Sequence, residues 1–254
     1  MSSETPFGPV ASAYSAFRPT YPQKLYEIIL AAVPPDRRRC AMDLGAGTGQ
    51  SAWPLLQWFE RVIAVEADPR MAAELRSSQP RIEVCIGTAE ECEQPPESLD
   101  LVTSATAFYW MDGGRVLANA ARWLRPGGVL AIYRYHIQQG PPAVRAIFDR
   151  ELEGNWMPFR HPRLLDHDYT RLTLTASPFS RFDTHTFDHV MPMTVADILG
   201  FIRSTSYGGA YMRTLADPEA YLRGLETEFT HSFAGAASVP VTFPVELYCA
   251  RKPL

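Results

Sequence analysis

The stretch that most constrains this chain is Cys40-Ala41-Met42-Asp43-Leu44-Gly45-Ala46-Gly47-Thr48-Gly49-Gln50. It reads as a short buried strand that ends in a glycine-rich turn and opens a helix. A backbone that turns this sharply, and lies bare against a ligand, needs residues without side chains. The glycines alternate, at 45, 47 and 49, with an acid two residues before the first. A dinucleotide-binding loop has a longer last gap and seats a pyrophosphate on the helix N-terminus. Here the acid at the strand end would repel a diphosphate and suit an amine or a sulfonium.

Further strands follow in order. Arg61-Val62-Ile63-Ala64-Val65-Glu66 is an apolar run of the length of a buried parallel strand. It ends on Glu66, at the distance from the glycine loop where an acid chelates ribose hydroxyls. Asp68-Pro69 supplies an N-cap and a proline for the next helix, which carries Met71. Ile82–Ile86 is a third strand, closed by Gly87-Thr88-Ala89-Glu90; Ser98–Ser104 is a fourth, and Leu124–Ile132 a turn and fifth. Singly, each piece reads equally as structure: a tight turn, a solvated acid, a core methionine. Their joint order has no such explanation.

Asp-x-Gly-x-Gly-x-Gly, followed by these elements across residues 40–132, resembles the class I S-adenosylmethionine-dependent methyltransferases. Tyr14-x-x-x-Arg18-Pro19-x-Tyr21-Pro22 resembles the N-terminus of the small-molecule methyltransferase type 11, or trans-aconitate methyltransferase-like, subgroup. The resemblance implies a Rossmann-like α/β fold: a seven-stranded, mostly parallel sheet with an antiparallel edge strand, Val239–Arg251, and a helical or loop cap. It divides the chain into an N-terminal lid and first helix (1–35), a cofactor-binding core (36–136), an inserted cap (137–192) and the C-terminal part of the core (193–254).

The resemblance also implies the cofactor, S-adenosylmethionine, and its contacts. Asp43, Gly45, Ala46 and Gly47 lie under its methionine end, Glu66 and Ala67 at the ribose, and Met71 over the adenine. Thr88, Ala89 and Glu90 line the base; Thr88 stands where the family has an aspartate, which removes one hydrogen bond to the adenine amine. Ala105 receives the methionine amine through its backbone. Arg18 pairs with the methionine carboxylate in two-pronged geometry, and Tyr14 closes over the tail. The competing reading makes Arg18 a surface charge and the tyrosines helix packing.

The acceptor side is expected past the fourth strand, where an open α/β sheet binds ligands. Phe108, Tyr109 and Trp110 form either a substrate wall or core packing. Relatives carry Phe-His-Trp there, so the neutral-pH base is missing. Arg134 is the candidate cation for a carboxylate acceptor, or else a solvent-facing charge, with Tyr133, Tyr207 and Tyr21 as hydrogen-bond donors. A carboxylate needs no base, whereas a phenol, amine or carbon acceptor does; His136 is the remaining candidate for that. The function expected is methyl transfer to a small-molecule acceptor; a catalytically weak binding or regulatory protein of the same fold is the alternative.

Composition narrows the partners. A net charge of −4, with Arg37-Arg38-Arg39 the only basic triple, argues against nucleic acid. The histidines and acids lack metal-ligand spacing, so no metal is expected. Four cysteines without C-x-x-C spacing fit reduced packing thiols. The first residues do not read as a signal peptide and no stretch approaches a membrane span, so a cytoplasmic, membrane-free protein is expected. Pro54, inside an otherwise helical run 50–60, either starts the regular helix near Trp53 or kinks it.

Overall fold

Both faces of the first strand are apolar, and this fixes the architecture around it. In the computed structural model, which describes residues 7–136 and 139–253, β1 (Cys40–Leu44) is buried along its whole length. Cys40, Met42 and Leu44 face one core and Ala41 the other. β2 (Arg61–Glu66) and β3 (Glu83–Ile86) pair in parallel on one side, β4 (Leu99–Ala105) and β5 (Leu124–Tyr135) on the other. Such strands are covered by helices on both faces. α2 (Gln23–Ala32) and α3 (Pro69–Ser78) bury Leu25, Ile29 and Leu75 against one face. α4 (Gly113–Trp123) buries Val116, Leu117 and Trp123 against the other. Asp68 and Asp112 cap α3 and α4 through the backbone N–H groups of Arg70 and Arg115.

The sheet has seven strands in the order β3-β2-β1-β4-β5-β7-β6, the mixed sheet expected. β7 (Val239–Arg251) runs antiparallel to both β5 and β6 (Phe182–Met193). The edge is therefore an antiparallel pair: Val239–Arg251 is its inner member, and β6 covers it. Pro244 sits where the β5 ladder ends, at Tyr135↔Val245, so its missing N–H interrupts no interior pair. Pro54 falls in the first turn of a short 3-10 helix, Trp53–Gln57; the helix begins at Trp53 and is not kinked.

The cap departs from its expected boundaries. α5 (Pro142–Glu153), α8 (Val195–Ser204) and α10 (Pro218–Ser232) bury Phe148, Phe201 and Phe229 with Val241 and Phe243 of β7 in a third core. α6 (Pro162–Leu165) and α7 (Tyr169–Thr175) lead back to the main core through Leu174, and α9 (Ser206–Met212) follows α8. The cap thus comprises two stretches, 142–175 and 195–232, while 182–193 belongs to the sheet. The period-2 pattern of 182–193 marks it as a strand, but its place on β7, like the apolar partner of an amphipathic helix, comes only from the fold. Of the segments expected as lid and cap, residues 1–6, 137 and 138 lie outside the described ones. α1 (Ala11–Phe17) joins core to cap: it packs on α3 and α8. A Cβ on Gly200 would stand 2.2 Å from the Phe17 ring, so α8 carries glycine where α1 crosses it.

Candidate functional site

Strand order reverses between β1 and β4, and a crevice opens at the carboxyl ends of these strands, as open α/β sheets require. The glycine loop forms its floor. The N–H groups of Gly45 and Ala46 donate to the Val65 carbonyl at 2.9 and 3.0 Å, tying the loop to β2. Gly45 (φ +67°) is confined: an added Cβ would lie 2.6 Å from the Ala107 Cβ. Gly47 (φ +59°) is open, with Met71 Cε at 3.5 Å and the Tyr14 ring at 3.6 Å from the same position. Gly47 is therefore where backbone is bare to a ligand.

Glu66 stands directly beside the loop. Its Oε2 accepts from the Gly47 N–H and its Oε1 from the Asp68 N–H, both at 2.8 Å. It is 7% exposed and lines the crevice. Burial raises its pKa against those two backbone hydrogen bonds. A carboxylate has about four lone-pair sites, so two remain for hydroxyl donors in the crevice. The cleft measures about 480 Å³ and is lined by Tyr14, Gly45, Gly47, Glu66, Ala67, Met71, Thr88, Ala89, Glu90 and Ala105, with Trp110 and Met111. Among the described residues its charged lining consists of two carboxylates, Glu66 and Glu90, without a lysine or arginine. Such a lining suits a cation bearing hydroxyls and opposes a diphosphate.

A second cleft of about 360 Å³ adjoins it; Phe7 and Thr106 line both. Its lining carries Arg18, Arg134, Arg145 and Arg160, His136 and His167, and among the described residues no carboxylate. Two of the arginines are neutralised from behind: Arg134 by Glu246 at 3.3 Å and Arg145 by Asp149 at 2.6 Å. Arg18 donates to the Tyr135 hydroxyl at 2.8 Å and the Ser204 carbonyl at 2.9 Å. Its guanidinium lies 4.7 Å over the Tyr14 ring and 5.3 Å over Phe201. Among the described residues neither Arg18 nor Arg160 has a carboxylate partner, and each keeps a buried Nε without a hydrogen bond. Tyr109 and Tyr207 line the same cleft; burial pushes the Tyr109 phenol up to about 12 and the Tyr207 phenol up as well. Both are hydrogen-bond donors at neutral pH.

Several expected residues fall elsewhere. Asp43 does not reach either cleft. It is fully buried beneath the loop, accepting from Ser51 Oγ and, at 2.6 Å, from Thr103 Oγ1. Ala46 is buried behind the loop. Phe108 packs in the main core, its ring 5.9 Å from Tyr169. Tyr133 is buried below the site, edge-on to Tyr21 at 4.8 Å. Arg18 lines the second cleft and not the first, and Arg134, though in the cleft, has its charge met by Glu246. Depth along the strand explains Tyr133: it shares a face with Tyr135, which reaches the cleft, but lies two residues further into the sheet. Sequence reasoning missed Thr106, Arg145 and Arg160. The arginines sit in the cap, whose packing carries no local signal, and no residue-type pattern reveals the left-handed backbone of Thr106, φ +52°.

A sheet of this order, with a ligand crevice at its switch point, is the Rossmann-like architecture expected of the class I S-adenosylmethionine-dependent methyltransferases. Residues 42–132 match the model of the methyltransferase domain family. An uncharacterized methyltransferase of Mycobacterium tuberculosis is 38% identical over 126 residues, 50% of this chain and 50% of that protein. The chain thus spans about half the length of the curated relatives it matches at this level. A Dictyostelium discoideum protein described as a methyltransferase is 28% identical across 97% of this chain and 94% of its own. The structure of a protein from Anaeromyxobacter dehalogenans, described as a type II methyltransferase, superposes with a TM-score of 0.75 at 28% identity, over 93% of this chain and 99% of that one. Among the described residues no helix is long and apolar enough to cross a membrane.

Proposed function

We propose that the protein methylates a small acid, at a carboxylate oxygen, with the acid seated in the basic cleft. The charge contrast between the adjoining clefts carries this reading: among the described residues, two glutamates and no cation line one, four arginines and no acid the other. A cationic methyl donor fits the first and an anionic acceptor the second. When bound, S-adenosylmethionine supplies a methyl on a sulfonium; the acceptor oxygen takes it as the sulfur–carbon bond breaks, and no proton has to move. The protein's part is alignment and exclusion of water. Gly47 and Glu66, joined by their own 2.8 Å hydrogen bond, together hold the adenosyl amino acid at its ribose, and Tyr14, Phe7 and Trp110 close over it, Phe7 edge-on to both rings at 5.6 and 5.7 Å.

Placing the acceptor falls to Arg18 and Arg160 and no longer to Arg134. A guanidinium already paired with Glu246 has less charge to offer than one whose Nε is buried without a partner. Tyr109 and Tyr207 add neutral donors that orient the acid without quenching its nucleophilic oxygen. The test is titration calorimetry with S-adenosylhomocysteine, then a panel of organic acids read by homocysteine release and by the mass of the methyl ester. Binding with ester formation is the expected result. Binding without turnover of any acid favours the non-catalytic alternative, and absence of binding by wild type removes the reading altogether.

A further inference from the structure

Thr106 is the residue at which the two clefts meet, and its backbone is held where threonine does not rest by choice. It lines both clefts. Its φ is +52°, in the left-handed region where a β-branched side chain crowds its own backbone. Glycine would take this conformation freely. Among the described residues the other non-glycine positions with positive φ are Glu97 and Ala234, and neither lines either cleft. Strain kept at a ligand crevice indicates that the side chain has a task there. Two bonds hold it: the Thr106 N–H donates to the Tyr133 carbonyl at 2.7 Å, and Oγ1 is 2.7 Å from the Tyr21 hydroxyl.

Counting hydrogens assigns the direction. Each hydroxyl has one, and the pair uses one between them. Tyr21 is packed between the rings of Tyr133 and Tyr135, at 4.8 and 5.9 Å, and burial raises its phenol well above the ordinary range, so it stays protonated. Its hydroxyl has no second hydrogen-bond partner among the described residues. Were Thr106 the donor, the Tyr21 hydrogen would be buried unsatisfied. Tyr21 therefore donates to Thr106, and the Thr106 hydrogen is left for the junction of the clefts.

We propose that Thr106 is a substrate-binding residue: its hydroxyl, turned by Tyr21, donates a hydrogen bond to the acceptor's oxyanion beside the transferred methyl. This rests on the acid-acceptor reading above. The hydrogen bond fixes one carboxylate oxygen and leaves the other to attack, which sets the line of displacement. A donor here also favours an oxyanion over an amine, because a neutral amine has a single lone pair and cannot both accept from Thr106 and attack the methyl.

The test compares Thr106→Val, Thr106→Ser, Thr106→Gly and Tyr21→Phe with wild type, using the best acid from the panel. Thr106→Val keeps the shape and removes the donor; kcat/KM should fall about tenfold to a hundredfold, the usual weight of a hydrogen bond to a charged group. Thr106→Ser restores most of the rate. Tyr21→Phe loses less than Thr106→Val, since the threonine hydroxyl remains but is free to turn. Circular dichroism shows that each variant is folded, and S-adenosylhomocysteine affinity falls far less than kcat/KM. Thr106→Gly separates strain from function: it should melt about 2–4 °C higher while losing activity as Thr106→Val does. Full activity in Thr106→Val, or a parallel loss of homocysteine-adduct binding, overturns the inference and leaves the acid reading intact. A wild type that binds the adduct and esterifies no acid overturns both.

Discussion

Asp43 shows how one residue can be singled out correctly by a motif and placed wrongly by it. The motif puts an acid at the end of β1, and chemistry suggests that it faces a cation. In the structure it accepts hydroxyl hydrogens from Ser51 and Thr103 under the loop. Burial outweighs those bonds and lifts its pKa from 3.8 to about 6. A carboxyl raised in the folded state contributes stability that is complete below about pH 4 and is lost as pH rises through about 6. Above that, the ionised group costs folding about 3 kcal/mol, at 1.36 per pKa unit. Asparagine keeps an acceptor for the hydroxyls and removes the charge. Urea unfolding of Asp43→Asn should therefore match wild type near pH 4 and exceed it by about 1–3 kcal/mol at pH 8. Parallel stability curves for the two proteins across this range would refute the account of Asp43. Alternation gives the reason for its position: Met42 and Leu44 point to one core, and Asp43 shares the opposite face with Ala41.

At the scale of elements, the loop 45–49 shows why glycines in one motif are not equivalent. A methyl on Gly45 would press on Ala107 and Met111, at 2.6 and 2.9 Å, so Gly45→Ala is expected to cost about 1–3 kcal/mol of stability by overpacking. A methyl on Gly47 meets Met71 and Tyr14 at ordinary contact distances, 3.5 and 3.6 Å. Gly47→Ala should lose only about 1 kcal/mol through its left-handed backbone. It should nonetheless weaken S-adenosylhomocysteine binding by about tenfold or more, or 1.4 kcal/mol, because the methyl projects into the cofactor cleft. Thermal melts and calorimetry on the two variants check the crossing pattern; equal effects on both quantities would contradict it. The same contrast marks what was legible. β1, β2, β4 and the loop could be read because strands buried on both faces leave continuous apolar runs broken by a glycine turn. Glu66 could be read because a fixed number of residues separates neighbouring strand ends. The position of β6 outside β7 could not, since both strands alternate and nothing local says which pairs with β5. The cap could not either: α5, α8 and α10 meet over Phe148, Phe201 and Phe229, contacts between distant parts of the chain that leave only amphipathic faces in the sequence.

Taken as a whole, the molecule carries a net charge of −4 and should repel acids, yet the cleft proposed for the acceptor is basic. The two act at different ranges. Repulsion by surface charge is screened beyond about 10 Å at 0.1 M salt, whereas charges in a walled cleft are focused and act on a ligand at its mouth. Its arginines differ in what they do for the fold. Arg134 stands against Glu246, whose side chain is 17% exposed. Burial would raise that carboxyl, but hydrogen bonds from His136 and Tyr248 with the Arg134 charge bring it down to about 2. Arg134→Gln leaves Glu246 short of its counter-charge and should lower the melting temperature clearly. Arg160 has no such partner, and its buried Nε is unsatisfied. Arg160→Gln removes a desolvated charge without orphaning another, so stability should hold or rise. The KM for the best acid should instead increase about tenfold to a hundredfold, the weight of a charged hydrogen bond, and adduct binding should not change. Raising salt should weaken wild-type kcat/KM, and should weaken that of Arg160→Gln less. A steep loss of acceptor affinity in Arg134→Gln, with Arg160→Gln behaving as wild type, would return the acceptor-placing role to Arg134.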